Sequence, residues 1–205
     1  MSIILVRHGE TALNAARVLQ PPDTPLSERG LRQAQVVAVR LSSTGATRIV
    51  SSDLPRAMQT AQAIAAASGL EISDSALLQE RNFGDLRGRA YDDLDFDPLA
   101  MQEAPPSGES VLQFEARVQQ ALALLCECAA TETAGNVVVV THGLVIRTLL
   151  ARYLALPSAT ALPERIGNTS LTIFAAKPPY QTSLINCTAH LSSELSDDAR
   201  ALSGF

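Results

Sequence analysis

Two stretches decide how this chain folds. Ser2–Arg7 (SIILVR) runs directly into His8-Gly9, and Asn136–Thr141 (NVVVVT) runs directly into His142-Gly143. Both are apolar or β-branched at consecutive positions, without alternation. A strand with one wet face alternates; a strand buried on both faces, as in a parallel sheet, does not. Thr47–Ser52 (TRIVSS) is a third run of the same kind.

Helical patterns lie between these runs. Ser27 is placed to cap a helix in which Leu31, Ala34, Ala38 and Leu41 recur at helical spacing. Pro55 suits the first turn of a second helix through Ala57–Ala67, ending at Gly69. Val111, Phe114, Val118, Leu122 and Leu125 mark a long third, and a fourth runs from about Leu144 to Leu154, before Pro157. Ser170–Ala175 and Ser183–Leu191 read as two late strands around a Lys177-Pro-Pro-Tyr180 turn. The expected fold class is α/β: a three-layer sandwich with a mainly parallel central sheet, antiparallel edge pairing and a short cap insertion. Residues 1–205 form one domain in this reading. Its lid, at about 84–110, is rich in glycine, proline and acids and passes over one end of the sheet.

The composition narrows the function classes. The chain has 205 residues, 46% of them hydrophobic and 18% charged, which suits a folded core and excludes a largely disordered chain. Its apolar runs are far shorter than the ~20 residues of a membrane span, and Arg7 interrupts the N-terminal one before any signal-peptide pattern develops. A net charge of −5 argues against a nucleic-acid surface. Cys126, Cys128 and Cys187 are too few and too odd in number for a disulfide framework, so a cytoplasmic location is expected. The only lysine is Lys177, so no Walker-type phosphate loop precedes it.

In folds of this class ligands bind beyond the carboxyl ends of the strands. Parallel strands bring His8 and His142 to one edge of the sheet. The Thr47–Ser52 strand leads to the same edge and delivers Arg56 in the first turn of the next helix, where a cation opposes the helix dipole unless an anion faces it. Arg7 is a charge on an apolar strand and needs a partner. One His-Gly after a strand is ordinarily a packed turn, and one such arginine an ordinary ion-pair partner. Two histidines and two arginines on one strand edge suit a phosphoryl group, whose oxygens need donors and whose phosphorus needs a nucleophile.

Leu5-Val6-Arg7-His8-Gly9-Glu10-Thr11 with Asn14, Asp23-Thr-Pro-Leu-Ser27 with Gly30, Gln33 and Ala34, and Ser51-Ser52-Asp53-Leu54-Pro55-Arg56-Ala57 with Gln59-Thr60-Ala61 together resemble the histidine phosphatase superfamily, the phosphoglycerate-mutase-like fold. The resemblance continues, in family order, through Leu78-Gln79-Glu80-Arg81-Asn82-Phe83-Gly84, Ser107-Gly108-Glu109-Ser110, Thr141-His142-Gly143, Asn168-Thr169-Ser170 and the tail from Asn186 to Leu191. It implies that His8 is the nucleophile and forms a phosphohistidine. Arg7, Arg56 and His142 then bind the phosphoryl oxygens, with Asn14 and Gly143 completing the substrate site, and Glu80 serves as general acid and base. It also implies no metal and no cofactor, because the cations supply the charge neutralisation.

The implied activity is that of a phosphomonoesterase for a small phosphorylated metabolite, with the small phosphatases resembling alpha-ribazole phosphatase as the nearest branch. A cofactor-dependent phosphoglycerate mutase and a catalytically silent phospho-ligand binding module are the rivals. No nucleic-acid or membrane partner is expected. Three positions depart from the family pattern. Pro21 follows Gln20 where glycine is frequent, Leu86 stands where tryptophan is common, and Arg87 where an acid is common. Asp92, Asp93, Asp95 and Asp97 read as a solvated surface, Cys126 and Cys128 as packing residues, and His190 as a structural strand residue. Arg147 and Arg152 read as helix-surface ion-pair partners, with Arg81 and Arg89 as candidate secondary substrate contacts.

Overall fold

The structure, a computed structural model, describes residues 1–132 and 135–196; the end of the 1–205 domain reading lies outside the described residues. Six strands form one sheet: β1 (Ser2–Arg7), β2 (Ala46–Ser51), β3 (Ile72–Asp74), β4 (Asn136–Thr141), β5 (Leu171–Ala175) and β6 (Thr182–Cys187). Their order is β3-β2-β4-β1-β5-β6. The first four are mutually parallel, and β5 and β6 add antiparallel at the far side. Helices α1 (Ala12–Ala15), α2 (Glu28–Leu41), α3 (Pro55–Ser68), α4 (Val111–Thr131) and α5 (Gly143–Arg152) complete the order.

The consecutive apolar residues of β1 and β4 are explained by what each face touches. Ile3, Leu5, Val137 and Val139 point into one core with α4 and α5, through Phe114, Val118, Leu122, Leu125, Ile146 and Leu149. Ile4, Val6, Val138 and Val140 point into a second core with α2 and α3, through Val37, Leu41, Ala57, Ala61 and Ile64. Both faces of the central strands are dry, so neither needs a polar residue, and each buried Val, Leu or Ile contributes about 1.5–3 kcal/mol. The result is the expected three-layer α/β sandwich.

Local signals set the helix ends. Ser27 Oγ accepts from the Gly30 amide, α3 opens on Pro55, and Gly69 closes it in the left-handed conformation at φ 73°. Ser110 and Gln113 form a capping box on α4. Cys126 and Cys128 pack at the margin of the first core. Three readings change. β3 is a real edge strand that the sequence did not announce, with only Ile72 apolar. The last strand stops at Cys187 rather than Leu191, after Asn186 adopts φ 49°. His190 therefore lies in a turn, not a strand, with its ring bonded to Thr169 Oγ1 at 3.1 Å. The segment of residues 84–110 holds two single-turn 3₁₀ helices and otherwise irregular backbone.

The loop leaving β1 is pressed onto α2. A Cβ on Gly30 would lie 2.0 Å from the Glu10 carbonyl oxygen, and one on Gly9 would lie 2.6 Å from the Gly30 carbonyl oxygen. The Ser27 amide donates to that same Glu10 carbonyl at 2.9 Å, so the loop cannot retreat without losing a hydrogen bond. In an exposed helix Gly→Ala gains about 1 kcal/mol; here the obstacle is backbone, and overpacking costs about 1–3 kcal/mol or more. Gly30→Ala is therefore expected to lower the unfolding free energy by at least about 1 kcal/mol in urea titration, and a variant as stable as the parent would refute the close approach.

Candidate active site

The parallel register brings three strand ends level. Arg7 pairs with Thr141, and Ser51 with Val140, so His8, Ser52 and His142 follow side by side. The His8 amide extends the ladder to the Thr141 carbonyl at 2.9 Å, and the Ser52 amide to the Val140 carbonyl at 2.8 Å. The two imidazole rings lie 5.0 Å apart, centroid to centroid, tilted by 57°.

The loop around His8 is fixed by residues of the motifs themselves. The Gly9 amide donates to Thr60 Oγ1 at 3.1 Å, and the Glu10 amide to Gln33 Oε1 at 2.8 Å. Thr11 caps α1 through a capping box with Asn14, whose side chain joins the cavity wall. Gln20 accepts from Thr11 Oγ1 at 2.8 Å. Pro21 turns the next part of the loop so that its carbonyl meets Arg56 Nη1 at 3.5 Å.

His8 Nδ1 lies 2.6 Å from the Gly9 carbonyl oxygen. A carbonyl only accepts, so Nδ1 carries the proton, and in the neutral ring Nε2 is left with its lone pair. Burial holds the His8 pKa well below the usual imidazole range, and the charges of Arg7 and Arg56 push it the same way. His142 is lowered likewise, by burial first and then by Arg56, His8 and Arg7. Its Nε2 lies 2.8 Å from Ser52 Oγ. Both rings are neutral at pH 7.

Arg7 is almost fully buried, with Nη1 donating to the Ile166 carbonyl at 2.5 Å. Desolvation brings the Arg56 pKa down to about 10, with Arg87 and Arg7 lowering it and Glu80 raising it. It remains a cation at neutral pH. Among the described residues, Arg56 Nε and His142 Nδ1 are buried without a hydrogen-bond partner. Glu80 accepts from the Arg81 amide at 3.0 Å and the Leu144 amide at 3.1 Å. These bonds, Arg56 and Arg7 favour its carboxylate, but desolvation outweighs them and raises its pKa above the ordinary range.

Of the residues singled out in the sequence, Arg7, His8, Asn14, Arg56 and Glu80 line one cavity. His142 and Gly143 are buried behind it, His142 against the His8 ring and Gly143 at the start of α5, and neither belongs to the wall. Arg81 touches the cavity, but its guanidinium is committed to backbone, donating to the carbonyls of Glu109, Met101 and Glu103 at 3.2, 2.9 and 3.4 Å. Arg89 is exposed, outside the wall, and donates to the Asp93 carbonyl. Arg152 pairs with Glu115 at 2.9 Å, and Arg147 donates to the Glu164 carbonyl. Arg87, singled out as a departure from the family pattern, and Gln20, which precedes another, also line the wall, while Val18, Leu19, Phe83, Tyr91, Leu99 and Leu144 went unread as site residues. Most of these come from irregular loops, which carry no periodic signal. Among the described residues, no group of three or more His, Cys, Asp or Glu is placed to hold a metal ion, and no helix is long and apolar enough to cross a membrane.

This geometry has counterparts. The family model of the histidine phosphatase superfamily (branch 1) matches residues 3–185. The chain is 37% identical over 182 residues to the "Probable phosphoglycerate mutase GpmB" of Yersinia pestis (strain Pestoides F), covering 84% of this chain and 83% of that one. A mycobacterial glucosyl-3-phosphoglycerate phosphatase, solved with VO3, superposes with a TM-score of 0.72 and 33% identity over 85% of this chain and 90% of that chain. The alpha-ribazole phosphatase from Shigella flexneri superposes with a TM-score of 0.77 and 27% identity, covering 91% and 96%. With two histidines on one strand edge, two buried arginines beside them and a family match along most of its length, the chain belongs to the histidine phosphatase superfamily.

Proposed function

We propose that the protein is a phosphomonoesterase that hydrolyses a small phosphorylated metabolite through a phosphohistidine on His8, without a metal ion. The observation that supports this reading is the 2.6 Å contact between His8 Nδ1 and the Gly9 carbonyl: with the proton on Nδ1, the Nε2 lone pair is available to attack. Nε2 attacks phosphorus, the P–N bond forms and the ester P–O bond breaks. Glu80, with its raised pKa, protonates the departing oxygen. The resulting carboxylate then takes a proton from water, the oxygen of that water attacks phosphorus, and the P–N bond breaks to give inorganic phosphate and neutral His8. Arg7 and Arg56 neutralise the equatorial oxygens, and Asn14 adds a contact from the capping box. His142 backs the His8 ring from behind the wall, with its Nδ1 buried and, among the described residues, unpartnered. Residues 84–110 act as the lid, within a single domain.

The mutase named among the relatives is the competing reading. A mutase must hold its phosphoenzyme against water while a phosphoglycerate turns over. By resemblance, mutases achieve this with a long basic insertion. Here the lid is short and carries Asp92, Asp93, Asp95, Asp97 and Glu103, with no lysine. A cover this short does not shut water away from a phosphoenzyme.

Rapid quench with labelled monoester is expected to trap an acid-labile, base-stable phosphoenzyme that His8→Ala cannot form. Inorganic phosphate release should far exceed interconversion of 3- and 2-phosphoglycerate. Labelling of His8→Ala, or primed mutase turnover orders of magnitude above hydrolysis, would overturn the proposal.

Glu80→Gln should slow alkyl phosphates by about 10²–10⁴ and p-nitrophenyl phosphate much less, because nitrophenolate leaves without a proton. Equal slowing of both would assign Glu80 to binding or folding instead.

The neutral histidines also make stability depend on pH. His8, His142 and His190, the last at about 4, all have folded pKa values below their unfolded value. Between the two values the unfolded chain binds more protons, so stability falls as pH drops below about 6.5, by up to ~1.4 kcal/mol per pH unit for each. Glu80, raised on folding, opposes this for one proton between its unfolded and folded values. Urea titrations should give a lower unfolding free energy at pH 5 than at pH 7, with net proton uptake on unfolding; a flat profile would mean these rings are protonated when folded.

A further inference from the structure

Arg87 stands apart from the other arginines at this end of the molecule. Arg81 and Arg117 direct their donors to backbone carbonyls and Glu109, Arg17 pairs with Asp92, and Arg89 bonds the Asp93 carbonyl. Among the described residues, the Arg87 guanidinium has no hydrogen bond and no salt bridge, yet it is half-buried in the wall of the cavity that holds His8, Arg56 and Glu80. Its backbone is fixed on both sides. The Arg87 amide bonds the Gly84 carbonyl at 3.1 Å, and the Gly88 amide bonds the Leu19 carbonyl at 2.7 Å. The side chain is thus presented to the cavity by an anchored loop.

We propose that Arg87 grips a second anionic group of the substrate, a carboxylate or a second phosphate, so that the site prefers phosphomonoesters with another negative charge a few bonds from the transferred phosphoryl group. This rests on the phosphomonoesterase reading and adds a substrate class to it. A guanidinium fork fits either anion in bidentate fashion. Arg87 shares the cavity wall with Arg7 and Arg56, and its charge acts on Arg56 rather than on either histidine. Glu109 also acts on Arg87, but its carboxylate is already held by Arg117 at 2.7 and 2.8 Å and by the Asn82 amide at 3.0 Å. Two cations facing a partly dry cavity repel each other, and an anion beside Arg87 relieves that repulsion. Beyond it the cavity continues past Tyr91, Leu99 and Leu144 into an open groove, which leaves space for the body of a substrate.

The test uses inert ligands, so that it is independent of turnover. Dissociation constants for propylphosphonate, 3-phosphonopropionate and 1,3-propanediphosphonate are measured by calorimetry on the parent protein, Arg87→Gln, Arg87→Lys and Arg89→Gln. The parent should bind one or both doubly anionic ligands at least about tenfold tighter than propylphosphonate, and the tighter of the two identifies carboxylate or phosphate. Arg87→Gln should reduce that ratio to near one and Arg87→Lys should restore part of it, while Arg89→Gln, with the same change in net charge, keeps it. A ratio unchanged in Arg87→Gln, equal weakening of all three ligands, or no binding of the anionic pair by the parent would overturn the proposal. Absence of hydrolysis with any monoester, alongside an Arg87-dependent ratio, would instead refute the phosphomonoesterase reading and leave the anion site standing.

Discussion

Two arginines are held almost out of water at one strand edge, beside two imidazoles that carry no charge, and this arrangement governs what surrounds it. A buried cation is tolerated only where acceptors are built in. The chain supplies the Ile166 carbonyl to Arg7 and the Pro21 carbonyl to Arg56. The imidazoles stay neutral because another positive charge in the same dry space would be the most costly one to add. Helices α3 and α5 begin at this edge and turn their positive ends towards it. With its positive potential set by the backbone and two fixed cations, the site suits an anion.

Glu80 is positioned by an ion pair rather than by a strand. Arg117, on α4, donates to the carbonyls of Leu77, Gln79 and Glu80 and to both oxygens of Glu109. Glu109 in turn accepts from the Asn82 amide. One guanidinium thus ties the loop that carries the carboxyl group to the segment that returns from residues 84–110. The motif Ser107-Gly108-Glu109-Ser110 is mainly structural in this light: its glutamate holds the loop and its last serine caps α4.

How much of this was legible depended on regularity. His8 and His142 could be read because each follows a strand buried on both faces, and Arg56 because a proline marked the start of its helix. Glu80 lies in irregular chain between Leu78 and Gly84, where no period exists, and only family resemblance pointed to it. Edge strand β3 has one apolar residue in three and gave no pattern. His190 reads as a strand residue by its similarity to the family's last strand, while the backbone turns at Asn186. Arg81 looked like a substrate contact, yet its partners are carbonyls twenty or more residues away, which composition does not reveal. Tyr91 and Leu99 reach the cavity from loops for the same reason.

The path of residues 84–110 is pinned largely through main-chain atoms. The Leu19 amide bonds the Arg89 carbonyl and the Gly88 amide the Leu19 carbonyl, Tyr91 bonds the Arg17 carbonyl, Asp85 bonds the Pro106 carbonyl, and Arg81 seizes the carbonyls of Met101 and Glu103. Every amino acid offers the same carbonyl, so such anchors are indifferent to the side chains they carry. Residues that look into the cavity from this segment can be exchanged over evolutionary time while its course is kept. A lineage can thereby explore new substrates by point substitution, without rebuilding the scaffold that performs the chemistry.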